Sequence, residues 1–321
     1  MTVLIVGGAG YIGSHVNKIF HQQGWDTIVL DNLSRGFRDA VRWGSFVEGD
    51  CGDVHVLDRV FSENHIDLVM HFAAFAYVGE SVGRPDLYYR NNVAQTLTLL
   101  DAVVRHKVFR FVFSSTCATF GEARYLPIDE GHPQVPVNPY GRSKLMVESI
   151  LADYDQAFGL KSCIFRYFNA AGCDPDGLIG ENHDPETHVI PLLLEAAAGK
   201  RESFSILGSD YPTDDGTCVR DYIHVTDLAQ AHVLGAQFLM ETGCSDQFNL
   251  GNGRGFSVKE LVKAAERITG HPIPVEWKTR RAGDPPTLVG GAEKARRVLG
   301  WNPRYATLDE ILITAWKWMI R

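Results

Sequence analysis

The chain reads as an α/β protein of 321 residues: a doubly wound parallel sheet followed by a smaller C-terminal α/β domain. Three observations predict this. Apolar runs of strand length alternate with stretches of helical periodicity through the first half. Those runs are almost continuously apolar, as in strands covered on both faces. A glycine-rich segment, Gly7-Gly8-Ala9-Gly10-Tyr11-Ile12-Gly13, lies directly between the first strand and the first helix.

Residues 2–6 form the first apolar strand, 11–23 the helix after it, and 27–31 the second strand. Residues 45–49, 68–72 and 109–115 are further strands by length and apolar content. The two longest helices are expected over 87–106 and 140–154. The texture changes after Phe168: residues 169–188 are rich in Gly, Pro, Asp and Asn, which predicts a long loop. Later elements are shorter, among them a helix opening at Ser257 with Glu260 placed for a capping box. The terminal stretch 308–320 carries Trp316 and Trp318, read as packing residues. The expected division is a dinucleotide-binding domain over 1–168 and a mainly substrate-binding domain over 169–321, with part of 222–250 returning to the first sheet.

Composition bounds the function. Hydrophobic content is 45%, charged content 22% and formal net charge −8. A negative chain argues against a nucleic acid or an anionic membrane surface as partner, so an anionic ligand has to be held by local arginines and helix N-termini. Six cysteines with no C-x-x-C pair read as free thiols of a reducing, cytoplasmic compartment. No apolar run reaches the ~20 residues of a membrane-spanning helix. The histidines show no metal-ligand spacing, so no metal is expected, and His183 and His188 read as loop and substrate-domain residues.

The segment Gly7–Gly13 has the form G-x-x-G-x-x-G. Glycines let the backbone turn tightly and approach a pyrophosphate that sits on the following helix N-terminus, the Rossmann arrangement. Asp31 ends the second strand, about 20 residues on, where a carboxylate accepts from the adenosine ribose hydroxyls and repels a 2′-phosphate. That favours NAD over NADP; Arg35, close by in sequence, counts against it. Asp50 ends the third strand and reads equally as an adenine contact or a turn residue.

Tyr140 and Lys144 are four residues apart, which places them on one helix face. There an ammonium can lower the phenol's pKa and make it a general base for an alcohol. Ser115 and Thr116 close the strand 109–115, at the sheet edge where ligands bind in such folds. Ser115, Thr116, Tyr140 and Lys144 therefore form a candidate hydroxyl, phenol and ammonium set.

With these residues in this order the chain resembles the extended short-chain dehydrogenase/reductase family, and within it the UDP-sugar 4-epimerases that act on UDP-glucose. The carriers are GGAGYIGSH from Gly7, DNLSRG from Asp31, VMHFAA from Val69, SSTCATFGE from Ser114 and YGRSK from Tyr140. RYFNAAG from Arg166, GTCVRDYIHVTDLA from Gly216, NLGNG from Asn249 and RRAGDP from Arg280 extend it over nearly the whole chain.

The resemblance implies tightly bound NAD, a UDP-sugar substrate and a homodimer paired through the two long helices. It gives Thr116 a hydrogen bond to the sugar O4, Tyr140 the role of base, and Lys144 the nicotinamide ribose. Gly7, Gly10, Tyr11, Ile12, Gly13, Asp31, Asn32, Asp50, Cys51, Phe72, Ala73, Ala74, Asn91, Ser114, Tyr167 and Phe168 complete the implied cofactor set. Asn169, His188, Val189, Leu207, Arg220, Tyr222, Arg281, Asp284 and Leu288 are the implied substrate residues. Of these, Arg220 and Arg281 clamp the diphosphate, Tyr222 and Asp284 meet the uridine, and Leu288 faces the sugar 2-substituent. One position departs: some epimerases carry lysine where this chain has Ala76, which weakens the cofactor contacts. The segments around Ala73 and Ser114 also resemble UDP-arabinose 4-epimerases, so a pentose substrate stays open. A sugar 4,6-dehydratase or decarboxylase needs acidic residues where this chain has Cys117 and Ala118. A non-catalytic NAD sensor could dispense with the Tyr140 and Lys144 pair, which this chain keeps.

Overall fold

The computed structural model describes residues 1–280 and 284–321. Its first half lays down strands β1 (Thr2–Val6), β2 (Asp26–Asp31), β3 (Ser45–Glu48), β4 (Leu68–His71), β5 (Arg110–Ser114) and β6 (Lys161–Tyr167). Between them run α1 (Tyr11–Gln22), α2 (Val54–Glu63), the short α3 (Val78–Gly83) and α4 (Pro85–Tyr88), α5 (Gln95–Arg105) and α6 (Pro139–Phe158). The second half adds β7 (Asn169–Ala171), α7 (Val189–Ala197), β8 (Phe204–Leu207), β9 (Val219–Arg220), β10 (Tyr222–His224), α8 (Val225–Thr242) and β11 (Asp246–Leu250). Then follow β12 (Phe256–Ser257), α9 (Val258–Thr269), β13 (Val275–Lys278), β14 (Thr287–Leu288), α10 (Glu293–Leu299) and α11 (Leu308–Met319).

Seven strands form one sheet in the order β11-β6-β5-β4-β1-β2-β3. Every neighbouring pair in it is parallel. Chain order reverses between β1 and β4, so the crevice that binds ligands in open α/β sheets lies at the carboxyl ends of these strands. Helices cover both faces. Val16 and Phe20 of α1 and Leu228 and Ala231 of α8 pack with Ile5, Met70 and Val112 on one side. Leu57, Val60, Leu99, Val103, Val147 and Leu151 of α2, α5 and α6 close the other. A second core joins α7, α9 and α11 through Leu193, Leu261, Ile311 and Leu312. There Trp316 and Trp318 pack at the margin of the core.

Two elements differ from the sequence reading. The helix expected over 87–106 is built in pieces: α4, a wide π-type turn over Tyr89–Ala94, and then α5. The polar pair Asn91-Asn92 interrupts the apolar periodicity there, and wide turns of this kind often mark functional sites. Asn92 uses its amide to hold Phe75, accepting from Phe75 N at 2.9 Å and donating to Phe75 O at 3.0 Å. The loop expected over 169–188 begins as β7, which pairs parallel with β10. The capping box is present: Ser257 Oγ accepts from Glu260 N, and the Glu260 carboxylate accepts from Ser257 N at 2.8 Å.

Candidate functional site

A cleft of about 580 Å³ runs across the carboxyl edge of the sheet and under the second domain. The turn after each of β1, β2, β4, β5 and β6 opens into it, so the strand ends aim backbone and side chains at one volume.

The first wall is the Gly7–Gly13 turn. Gly7 has φ +82°, and a Cβ there would lie 2.3 Å from Ala73 N. A Cβ on Gly13 would lie 2.4 Å from Gly7 O. Both positions therefore require glycine for the turn itself. The N-cap of α1 is Gly10, with no side-chain cap and no acidic residue in the first turn. The free N–H groups and dipole of that helix end are thus left to an external anion. Tyr11 and Ile12 line the cleft, and Tyr11 Oη donates to Gly172 O at 2.5 Å, joining this wall to the second domain.

The next wall selects the dinucleotide. Asp31 accepts from Ala9 N and Leu33 N, each at 2.9 Å, and is 9% exposed at the cleft. Burial raises its carboxyl pKa against these two hydrogen bonds. Arg35 also lines the cleft, but there it pairs with Glu80 at 3.0 Å and lies over the rings of Tyr77 and Phe75. The guanidinium that argued for a 2′-phosphate is thereby committed. Asn32 and Cys51 line the same end, whereas Asp50 does not. Asp50 caps its own turn through Gly52 N at 2.7 Å and holds the Asn32 amide at 2.7 Å, so the turn reading applies. Phe72, Ala73, Ala74 and Asn91 form the floor, together with Ala76. The Asp31 carboxylate, the uncapped helix end and the glycine turn fit an NAD-type dinucleotide.

The chemical centre sits where β5 and β6 end. Thr116, Tyr140, Ser114, Tyr167 and Phe168 all face the cleft. Ser114 and Tyr167 share a hydrogen bond between their hydroxyls. Asn138 caps α6 by accepting from Gly141 N at 2.8 Å, and Pro139 opens the helix, which fixes Tyr140 in its first turn. Burial pushes the Tyr140 phenol up to about 12, opposed by the polar influence of the Thr116 hydroxyl.

Two expectations are corrected here. Lys144 commits its ammonium to the end of β5 and is not among the groups that shift the Tyr140 phenol. It is 3% exposed, donates to Ser114 O at 2.7 Å and lies 4.8 Å from the Phe113 ring centroid. Burial lowers its pKa to about 7, with Glu148 acting the other way. The i,i+4 spacing puts both side chains on one face, but the long lysine stem bends to the strand end. Ser115 also turns away, donating to Glu148. Glu148 in turn accepts from Arg166 Nε at 3.1 Å and Nη2 at 2.6 Å, and from Gln134 Nε2 at 3.0 Å. This buried network went unnoticed in the sequence; its only signal was a charged residue in the otherwise apolar run of β6.

The remaining wall comes from the second half of the chain. Asn169, His188, Val189, Leu207, Tyr222 and Leu288 line it. Arg220 projects from β9 into the cleft and pairs with Asp284 at 2.5 Å. Asp284, expected at the uridine, lines the cleft as well as pairing with the arginine. Arg281 lies outside the described residues. Leu288 pairs with Arg220 across β14 and β9, so the expected specificity position and the clamp are neighbours in register. Phe75, Tyr77, Glu181 and His183 also line the cleft and were not singled out as site residues, because loops carry no periodic signal. His183 and His188 prove to be adjacent: their ring centroids are 4.3 Å apart, and each faces Glu186. Their separation in sequence hid that clustering.

Known proteins share this arrangement. A family model described as the NAD dependent epimerase/dehydratase family matches residues 3–251. The UDP-glucose 4-epimerase of Rhizobium leguminosarum bv. trifolii is 54% identical over 317 residues, 99% of this chain and 97% of the relative. The crystal structure of UDP-glucose 4-epimerase from Brucella ovis in complex with NAD superposes with a TM-score of 0.96 at 52% identity, over 98% of this chain and 97% of that one. The Bifidobacterium longum UDP-glucose 4-epimerase in complex with NAD+ and UDP gives a TM-score of 0.95 at 38% identity, over 100% of this chain and 98% of that one. With its glycine turn, Asp31 and Tyr140 set in one cleft, the chain belongs to the NAD-dependent epimerase/dehydratase family.

Proposed function

We propose that this protein is an NAD-dependent isomerase that inverts C4 of a UDP-sugar, UDP-glucose to UDP-galactose and back, through a 4-keto sugar. The observation that carries the reading is the convergence of Thr116 and Tyr140 on one cleft, directly beside the dinucleotide wall. When bound, NAD takes up and returns the C4 hydride, so no net reductant is consumed. Tyr140 moves the proton at the sugar O4. Its hydroxyl, near 12, is protonated at neutral pH and donates in the reducing direction. A hydrogen bond to the ionised form lowers a phenol's pKa, so Thr116 supports the step that takes the proton. Cys117 and Ala118, at the position where an eliminating enzyme needs acid and base, line the cleft. Burial pushes the Cys117 thiol up to about 12, so neither residue can do that work.

Arg220 holds the diphosphate, and Asp284 orients its guanidinium. The second domain supplies the sugar pocket, with Leu288 at the wall near the 2-substituent. The protein acts in the cytoplasm as a homodimer that pairs α5 and α6; Met146 and Phe158 of α6 are exposed apolar residues that such pairing would cover.

The deciding experiment incubates the purified protein with UDP-glucose, UDP-xylose and UDP-N-acetylglucosamine and follows each C4 epimer without added NADH. Epimerisation of UDP-glucose with bound NAD unchanged supports the reading. Consumption of NADH in step with product, or stoichiometric NADP, overturns it. Turnover of UDP-xylose alone would move the substrate to the pentoses.

Arg220→Ala removes charge-assisted hydrogen bonds to phosphate, each worth about 1.5–3 kcal/mol. It also leaves Asp284 without its partner, which adds repulsion. The Kd for UDP, measured by calorimetry, should rise about ten-fold or more, with bound NAD unchanged. Unaltered UDP affinity would remove Arg220 from the diphosphate site.

Leu288 is shorter than tyrosine and offers no hydrogen bond to an acetamido group. Plain hexoses should be preferred over N-acetyl sugars by a graded margin of about 1–3 kcal/mol in kcat/KM. Leu288→Tyr should abolish the N-acetyl activity and spare UDP-glucose. Equal kcat/KM for both sugars in the parent protein would show that this wall does not set the choice.

A further inference from the structure

The loop that follows β7 brings four metal-ligating side chains together where it crosses the cleft. Glu181, His183, Glu186 and His188 each offer one donor atom, and the four atoms lie within 4.8 Å of one another. His183 Nδ1 is 3.6 Å from Glu181 Oε1 and 3.2 Å from Glu186 Oε2. His188 Nδ1 is 3.4 Å from Glu181 Oε1 and 2.9 Å from Glu186 Oε1. A tetrahedral ion with bonds of about 2.0–2.1 Å needs donors roughly 3.3–3.4 Å apart, and the four separations bracket that edge.

A second observation is independent of this proximity. The Glu181 side chain is 4% exposed, and its Oε1 has no hydrogen-bond partner. That oxygen faces both imidazole Nδ1 atoms. An orphaned buried carboxylate oxygen carries a desolvation cost that calls for a cation. The set is also held in place from outside. Glu186 Oε1 accepts from Thr187 N and His188 N, each at 2.7 Å. The Glu181 backbone is fixed by Trp318 Nε1, which donates to Glu181 O at 3.2 Å. Arg35 Nη1 donates to Asp184 O at 3.4 Å, and Tyr77 Oη donates to Pro185 O at 3.0 Å, so the loop is tied to the dinucleotide domain.

We propose that Glu181, His183, Glu186 and His188 bind one divalent transition-metal ion of the Zn²⁺ class, and that the ion pins this loop across the cleft. Two imidazoles with carboxylates suit Zn²⁺ rather than Mg²⁺ or Ca²⁺, which prefer all-oxygen shells. The ion's role is structural: it closes the rim between the two domains and takes no part in the hydride and proton steps.

The test uses tag-free protein with its bound dinucleotide. Metal content is measured by mass spectrometry before and after chelation, and Zn²⁺, Co²⁺ and Mg²⁺ are then titrated by calorimetry. One Zn²⁺ per chain is expected, with tetrahedral Co²⁺ absorption bands and no binding of Mg²⁺. At a Zn²⁺ concentration about 100-fold above its Kd, the melting temperature should rise by roughly 5 °C. Glu181→Gln keeps the side-chain shape, and it and His183→Gln should each weaken Zn²⁺ by at least about ten-fold. Dinucleotide content and metal-free melting temperature establish that each variant is folded. Failure of the parent protein to bind Zn²⁺ or Co²⁺ overturns the site whatever the variants do. Parent-like binding by a folded variant overturns the ligand set. Because the readouts are metal content, spectrum and melting, they are separate from the sugar assay.

Discussion

Tyr140→Phe should lower kcat by about 10²- to 10⁴-fold, the range for removing a positioned general acid–base group. Phenylalanine keeps the ring, and with it the edge contact to Tyr88 at 6.4 Å between centroids. The substitution removes only the hydroxyl, which faces the cleft with Thr116. The loss should therefore fall on kcat and on kcat/KM together, because the interaction belongs to the transition state. Binding of UDP and of NAD should stay near the parent values. Thr116→Val is the companion: it removes the neighbour that favours the ionised phenol and should give a smaller loss in the same parameter. Retention of more than about half of the parental kcat by Tyr140→Phe would show that another group moves the O4 proton. Lys144 would not be that group by direct contact, since its ammonium is spent on Ser114 O.

The frame of the site was legible in the sequence because strand ends are. The turns after β1, β2, β4, β5 and β6 each lie where an apolar run stops, and ligand-facing residues follow in register. Thr116, Asp31 and the glycine turn are legible that way, Tyr140 through its helical spacing to Lys144, and all of them line one cleft. What the sequence did not carry was direction over the length of a long side chain. Lys144 satisfies the spacing rule yet commits its ammonium to Ser114 O, and Ser115 differs from Ser114 and Thr116 only in which side of the strand end it leaves. Nothing in the sequence announces that Asp284 is the counter-ion of Arg220, remote in the chain. Loops were the least legible part. Glu181, His183, Glu186 and His188 converge through a chain path that no period describes, and their meeting is visible only in three dimensions.

Arg166→Met should destabilise the protein by about 3–5 kcal/mol, the cost of breaking one half of a buried ion pair. The side chains of Arg166 and Glu148 are 5% and 6% exposed, and the pair joins β6 to α6. Methionine fills most of the volume but leaves the Glu148 carboxylate with only Ser115 and Gln134 as partners. Those are neutral donors, and the nearby Lys144 acts on Glu148 only through space, its ammonium being committed to Ser114 O, so a buried charge is left poorly balanced. The mechanism predicts its own rescue: Glu148→Leu in the Arg166→Met background should restore much of the loss, since replacing both charges by apolar groups of similar size is often neutral. Denaturant midpoints at unchanged slope give the measurement. A single-variant loss below about 1 kcal/mol would mean that Glu148 finds other compensation. The pair also has a functional reach. Glu148 lies two turns beyond Tyr140 on α6, and Ser115 precedes Thr116, so the network holds the phenol and the threonine hydroxyl on a common support. At temperatures where Arg166→Met is still folded, its kcat should fall while its Kd for UDP holds. A stability loss with kcat intact would confine the network to folding.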